Sequence, residues 1–142
     1  MSVMTGHCLC GAVQLSVARH RGFTAVCHCR MCQRWTGGLF ICLPADADAV
    51  TVTGPVVRYA SSDFAERAFC ETCGSHLWFR ANDGDRHYAL MPGLFDSALS
   101  LPLTSEIYTD RARSGLALPG THGRATRAQY EAKNAHLEGD QP

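Results

Sequence analysis

Seven of the eight cysteines fall into three tight clusters: Cys8-Leu9-Cys10-Gly11, Cys27-His28-Cys29-Arg30-Met31-Cys32 and Cys70-Glu71-Thr72-Cys73-Gly74. Thiolate sulfur is a soft metal ligand, and closely spaced cysteines can put several sulfurs on one ion. A Cys-x-x-Cys turn does this directly, and the glycine after it permits positive φ or a close backbone approach. In Cys-x-Cys, strand alternation sends both side chains to one face, where a bulge or turn can close them on one ion. Cys27, Cys29 and Cys32 can form a tripod by themselves. Cys8 and Cys10 are remote from Cys70 and Cys73, but together they make four. Keeping each cluster whole therefore divides the sulfurs into a quartet and a trio. Four thiolates make a closed tetrahedral zinc site of the structural kind. Three leave a position for water or substrate, the catalytic kind.

An all-sulfur ligand set selects zinc or an iron–sulfur cluster over hard cations. The spacings do not follow the common ferredoxin patterns, so the prediction is two Zn²⁺ per chain. Zinc on the quartet would staple the first strand to a hairpin some sixty residues later, making its binding energy folding energy. The trio has competing accounts. It can hold a second structural zinc completed by His28, Cys42 or His76, or it can be a redox cluster with two of its sulfurs joined. His28 sits between two ligands and is expected to point away from the ion. Cys42, in the apolar run Phe40-Ile41-Cys42-Leu43, is expected to be a buried thiol packed as a small hydrophobe.

The elements that must position these sulfurs read as short strands. Val13, Leu15 and Val17 alternate with Gln14 and Ser16, the period of a half-buried strand. Phe23–Val26 is a short β-prone run, and Leu39–Leu43 is apolar throughout. Val50–Thr53 and Val56–Tyr59 flank Gly54-Pro55, a hairpin or tight-turn signal. Ala65–Phe69, Leu77–Arg80, His87–Met91 and Glu106–Thr109 are further strands, with turn chemistry at Asn82-Asp83-Gly84-Asp85. Gly115 to Gly123 is irregular, and Ala125 to Leu137 is rich in helix formers. The class is mainly β, with a short C-terminal helix. Residues 1–120 are read as the zinc domain, and 121–142 as a helical tail packed on it or extending from it.

The chain has 142 residues, 46% hydrophobic and 18% charged, a globular composition that suits one domain. Thirteen basic residues balance thirteen acidic ones, which argues against nucleic acid or a membrane surface as partner. No apolar run approaches the ~20 residues of a membrane span. Met1 to Cys8 shows neither a basic nor an apolar export region, so a cytoplasmic protein is expected. That setting and the local clustering weigh against a four-disulfide framework.

The ordered clusters, with Gln33-Arg34-Trp35-Thr36-Gly37-Gly38 after the second and Ser75-His76-Leu77 after the third, resemble the glutathione-dependent formaldehyde-activating enzyme family, also called the GFA or centromere-protein-V family. The resemblance runs from about residue 5 to 110. It implies an Mss4-like fold, a tent of antiparallel sheets stapled by zinc. It implies that Cys8, Cys10, Cys70 and Cys73 hold a structural zinc and that Cys27, Cys29 and Cys32 hold a catalytic one. The family reaction condenses glutathione with formaldehyde to S-hydroxymethylglutathione, a carbon–sulfur lyase in the reverse sense. The implied partners are a small thiol such as glutathione and an aldehyde.

Zn²⁺ with three thiolates carries a net charge of −1, and an incoming thiolate makes it −2. Neighbouring donors would then be needed. Arg30 and Arg34 can offset that charge or bind glutathione carboxylates, against a simpler role as solvated surface arginines. Trp35 can wall a pocket or fill the core. His76 can serve as an acid/base or a supporting donor, with a structural role favoured. His87 and Tyr88 receive no role, and Asp46 and Asp48 decorate a turn. The alternative class is a zinc-stabilised, non-catalytic binding or chaperone-like module of the same fold. An enzyme requires three sulfurs and an exchangeable fourth position, whereas a scaffold closes that position with a protein ligand.

Overall fold

A computed structural model describes residues 3–82 and 87–134. In chain order it contains β1 (Met4–His7), β2 (Gln14–Val17), β3 (Thr24–Cys27), α1 (Arg30–Thr36), β4 (Phe40–Ala45), β5 (Val50–Thr53), β6 (Val56–Ser62) and β7 (Ala65–Cys70). There follow β8 (His76–Ala81), β9 (Tyr88–Leu90), β10 (Leu103–Ile107), β11 (Gly123–Ala125) and α2 (Arg127–Lys133). The class is mainly β with a short C-terminal helix, as the sequence implies. The chain forms two compact units, one drawn from Met1–Phe23 and Cys42–Pro102, the other from Thr24–Ile41 and Leu103–Pro142.

The first unit is antiparallel throughout its described strands. A 3-stranded sheet runs β1-β2-β5, and a second sheet runs β4-β9-β8-β7-β6. The alternation read at Val13, Leu15 and Val17 appears as burial: these three are inside, with Gln14 exposed between them. They join Leu43, Leu77, Trp78, Leu90 and Phe95 in one apolar core. Each fully buried side chain of this size contributes roughly 1.5–3 kcal/mol of hydrophobic transfer. Two of the clustered cysteines, Cys8 and Cys70, belong to the same core and are 0% exposed.

Gly54-Pro55 is a tight turn and not a hairpin. β5 pairs with β2 and β6 pairs with β7, so the chain changes sheets at this point. The turn presses on the segment that leads into β2: Gly54 has φ 109°, and a Cβ there would lie 2.1 Å from the Ala12 carbonyl oxygen. Glycine is required by space as well as by backbone angle.

The second unit departs from a purely antiparallel pattern. β10 lies parallel to both β3 and β11, with Ile107 opposite Cys27 and Glu106 opposite Val26 and Arg124. β3 and β10 are far apart in sequence, so no hairpin dictates their direction. α1 is an element that the strand reading did not include. Seven residues are too few to show helical periodicity, but they include favourable Arg, Met and Gln, and Gly37 in the left-handed region ends the helix. The C-terminal helix starts at Arg127, two residues later than expected. Thr126 and Gln129 form a reciprocal capping box that fixes the start. Positions 135–137 of the expected helix, and Asp83, Gly84 and Asp85 of the expected turn, lie outside the described residues. No helix among the described residues is long and apolar enough to cross a membrane.

Candidate metal centres

The two cysteine groups assemble as the spacing predicts. The sulfurs of Cys8, Cys10, Cys70 and Cys73 all lie within 4.8 Å of one another, and so do those of Cys27, Cys29 and Cys32. No disulfide joins any of the eight cysteines.

The quartet is made by two knuckles. Cys8 and Cys10 occupy the turn from β1 to β2, where the Gly11 N–H closes on the Cys8 carbonyl at 3.1 Å. Cys70 ends β7, and the Gly74 N–H closes on the Cys70 carbonyl at 2.9 Å. Both glycines have positive φ, the freedom expected of a residue completing such a turn. Ser75 joins the knuckles: its hydroxyl accepts the Leu9 N–H at 3.0 Å and lies 3.2 Å from the Cys73 sulfur. Cys8 and Cys10 sulfurs are 3.6 Å apart, and Cys10 and Cys70 sulfurs 3.9 Å. A tetrahedron with zinc–sulfur bonds of about 2.3 Å has edges of about 3.8 Å. The donor set therefore fits a four-coordinate zinc.

Electrostatics divide this group. The hydroxyl and N–H of Ser75 hold the Cys73 thiol down to about 5. Burial raises the Cys8 thiol, but the Val13 N–H, donating to its sulfur at 3.3 Å, and the sulfurs of Cys10 and Cys70 bring it below its ordinary value. Cys10 receives the Ala12 N–H at 3.5 Å, yet desolvation and the other three sulfurs push it up to about 11. Four sulfurs this close cannot all ionise without a cation among them.

The trio is built by a strand end and a short helix. Cys27 ends β3, Cys29 caps α1, and Cys32 lies one turn inside it, its N–H donating to the Cys29 sulfur at 3.4 Å. The neighbouring sulfurs of Cys29 and Cys32, together with burial, raise the Cys27 thiol well above its ordinary range. A cation would reverse that penalty, so this donor set fits a metal as well. The proposed fourth ligands belong to neither group. The His28 ring turns to Glu106, as its position between two ligands suggested. Cys42 is half-buried, not buried, as is Ile41 before it. His76 is half-buried beside a cavity of about 570 Å³ next to the quartet. Burial, assisted by Arg67, lowers its pKa and keeps the ring neutral at pH 7.

Arg30 and Arg34 are exposed on α1, and Trp35 is half-buried with its ring centroid 6.4 Å from that of Phe40. Asp46 and Asp48 do sit at a turn, where they pair with Arg19 at 3.3 and 2.6 Å. Tyr88 is core, packed edge-on against Trp78 at 5.1 Å.

Two residues behind the trio, Glu106 and Tyr108, escaped the sequence reading. Glu106 is 5% exposed and accepts from His28 at 2.6 Å and from His122 at 2.5 Å, with Arg124 at 3.2 Å. Burial would raise its carboxyl, but the hydrogen bonds from the two histidines hold it below the usual range. Tyr108 is 2% exposed and takes φ 57°, the left-handed region that non-glycine residues adopt at a cost. Its hydroxyl donates to Glu131 at 3.0 Å. Burial, Glu131 and the charges of Cys27 and Cys29 keep the phenol protonated. Strand alternation offered one clue: Glu106 and Tyr108 fall on one face, and a carboxylate on an inward face requires partners.

Known proteins corroborate the resemblance. Residues 3–111 match the model of the glutathione-dependent formaldehyde-activating enzyme family. An uncharacterized lyase of Schizosaccharomyces pombe is 31% identical over 106 residues, covering 74% of this chain and 77% of the yeast protein. A crystal structure of a Rhodobacter sphaeroides protein superposes with a TM-score of 0.57 at 23% identity, covering 71% of this chain and all of the other, a likeness of fold. With three correctly ordered cysteine clusters in a matching sheet architecture, the chain belongs to the glutathione-dependent formaldehyde-activating enzyme family.

Proposed function

We propose that this protein is a zinc-dependent carbon–sulfur lyase acting on the adduct of a small thiol, glutathione being the first candidate, with an aldehyde. Cys8, Cys10, Cys70 and Cys73 hold a structural zinc, and Cys27, Cys29 and Cys32 hold a catalytic one. One observation carries the reading: three sulfurs converge, and among the described residues no fourth His, Cys, Asp or Glu joins them. That leaves a coordination position for substrate, which a purely structural site would close. When bound, zinc supplies Lewis acidity at that position.

In the synthetic direction the thiol sulfur adds to the carbonyl carbon. A carbon–sulfur bond forms, and the carbonyl oxygen gains the proton that the thiol gives up. In the lyase direction the same bond breaks and the hydroxyl proton is returned. The chain's residues prepare the site. Cys29 and Cys32 are buried and fixed by the helix cap, so the trio needs little rearrangement to ligate. Tyr108, protonated beside the sulfurs, adds no further negative charge to a centre that already carries three thiolates. Arg30 and Arg34 lie exposed on the same helix, and their guanidinium groups match the carboxylates of a glutathione-like thiol.

The test combines stoichiometry with turnover. Protein purified without chelator should hold two zinc ions per chain, one readily removed. Formation of the carbon–sulfur bond from labelled formaldehyde and glutathione, followed by NMR, should exceed the uncatalysed rate and disappear in Cys29→Ser. A trio that holds no metal in reduced protein would sink the reading. Saturation of the trio by a fourth side chain would replace it with a scaffold role.

A further inference from the structure

His28 stands between two ligands of the trio without being one, and its backbone N–H, its carbonyl and its ring Nε2 are held from elsewhere in the second unit. Its N–H donates to the Ile107 carbonyl at 3.0 Å. Its carbonyl accepts from the Gln33 side-chain amide at 2.7 Å, and the same amide reaches the Arg111 carbonyl at 2.7 Å. Its ring meets Glu106 at 2.6 Å, with both side chains at most 6% exposed. The second Glu106 oxygen is taken by His122, whose side chain is 4% exposed, and by Arg124 at 3.2 Å. The backbone that carries Cys27 and Cys29 is thus held by β10, and β10 is held by the segment after residue 120.

A carboxylate buried this deeply is costly unless several donors meet it. Three donors do, and one is the residue whose two neighbours supply ligand sulfurs. A network of this kind limits the φ/ψ range of Cys27 and Cys29 before any ion arrives. Among the described residues the quartet shows a different support: its sulfurs meet backbone N–H groups and the Ser75 hydroxyl of nearby residues.

We propose that Glu106 is a positioning residue for the trio: through His28 it fixes the spacing of the Cys27 and Cys29 sulfurs, and through His122 and Arg124 it makes the trio's metal affinity depend on the docked C-terminal segment. This rests on the assignment of the trio as a metal site. Loss of an outer hydrogen-bond partner typically weakens a metal site by roughly 10–100-fold.

The test is a cobalt titration of the full-length, reduced protein with zinc retained at the quartet and the trio emptied by mild chelation. Sulfur-to-cobalt charge-transfer absorption is read against a competing chelator, and Cys29→Ser identifies the trio signal. Glu106→Ala should weaken cobalt binding at the trio roughly 10–100-fold, with quartet zinc and near-UV circular dichroism unchanged. Glu106→Gln, of nearly equal volume, should fall between the alanine variant and the natural protein, and it decides the matter should the alanine variant not fold. His122→Gln should weaken the trio by a smaller factor. Unchanged affinity in Glu106→Gln and Glu106→Ala would overturn the proposal, as would parallel loss of metal at both sites. Absence of any trio signal in the natural protein would overturn the metal assignment itself, a separate failure.

Discussion

The quartet and the trio use the same ligand chemistry in opposite surroundings. Cys8 and Cys70 are part of an apolar core with Leu43, Leu77, Leu90 and Trp78. Behind the trio stand His28, Glu106, His122, Arg124 and Tyr108, joined by charge and hydrogen bonds. An apolar wall makes a metal site rigid and dry, and the ion then acts as a structural member. A polar wall tolerates changes of charge, as an exchanging ligand position demands. The contrast teaches that the burial of its cysteines does not distinguish one sulfur group from the other, whereas the company each keeps does.

The sharpest way to break this comparison is to remove one sulfur from each group. Structural zinc in zinc-finger peptides binds with about 10–16 kcal/mol, comparable to the whole stability of a small domain. Cys70→Ser should therefore abolish cooperative folding, seen as loss of near-UV circular dichroism. Cys29→Ser should keep the fold and lose one metal equivalent. Equal collapse of both variants would erase the distinction.

A smaller effect is expected in the apolar wall alone. Leu77→Ala should lower stability by about 2–5 kcal/mol in urea denaturation while leaving the metal content of the trio intact. The polar wall should respond to pH instead. Glu106 has its carboxyl depressed in the folded state, so its contribution is present above the ordinary carboxylate value of about 4.3 and is lost as pH falls through the folded value. The gap in urea midpoint between the natural protein and Glu106→Gln should be constant near pH 6 and close toward pH 3. A gap that widened on acidification would contradict this sign. The smallest effect belongs to the surface: Arg19 pairs with Asp46 and Asp48 while 54% exposed, and Arg19→Ala should leave the melting midpoint within experimental scatter.

The metal groups were legible because sulfur chemistry acts locally: Cys-x-Cys, Cys-x-x-Cys and the glycines after them encode their own turns. The strands were legible where one face is buried, as at Val13, Leu15 and Val17. Partnership was not. Nothing near Gly54-Pro55 tells whether two β-prone runs pair with each other or with remote strands, and only the assembled sheets show β5 on β2 and β6 on β7. The parallel placement of β10 beside β3 was equally hidden, and with it the role of Glu106. His28 and Glu106 are 78 positions apart, and only the assembled sheet brings them together.

That same separation has a consequence for how the chain comes to its shape. Cys10 and Cys70, sulfurs 3.9 Å apart, close a loop of 60 residues, an entropic cost of about 3.6 kcal/mol for a flexible chain. The trio's thiols leave the ribosome almost together, but the quartet has no fourth partner until half the polypeptide has been made. During that interval Cys8 and Cys10 are nascent thiols without their mates, exposed to oxidants and to competing soft ions. With zinc at the quartet, as proposed, its supply should govern the yield of native chains during synthesis more than the survival of chains already formed.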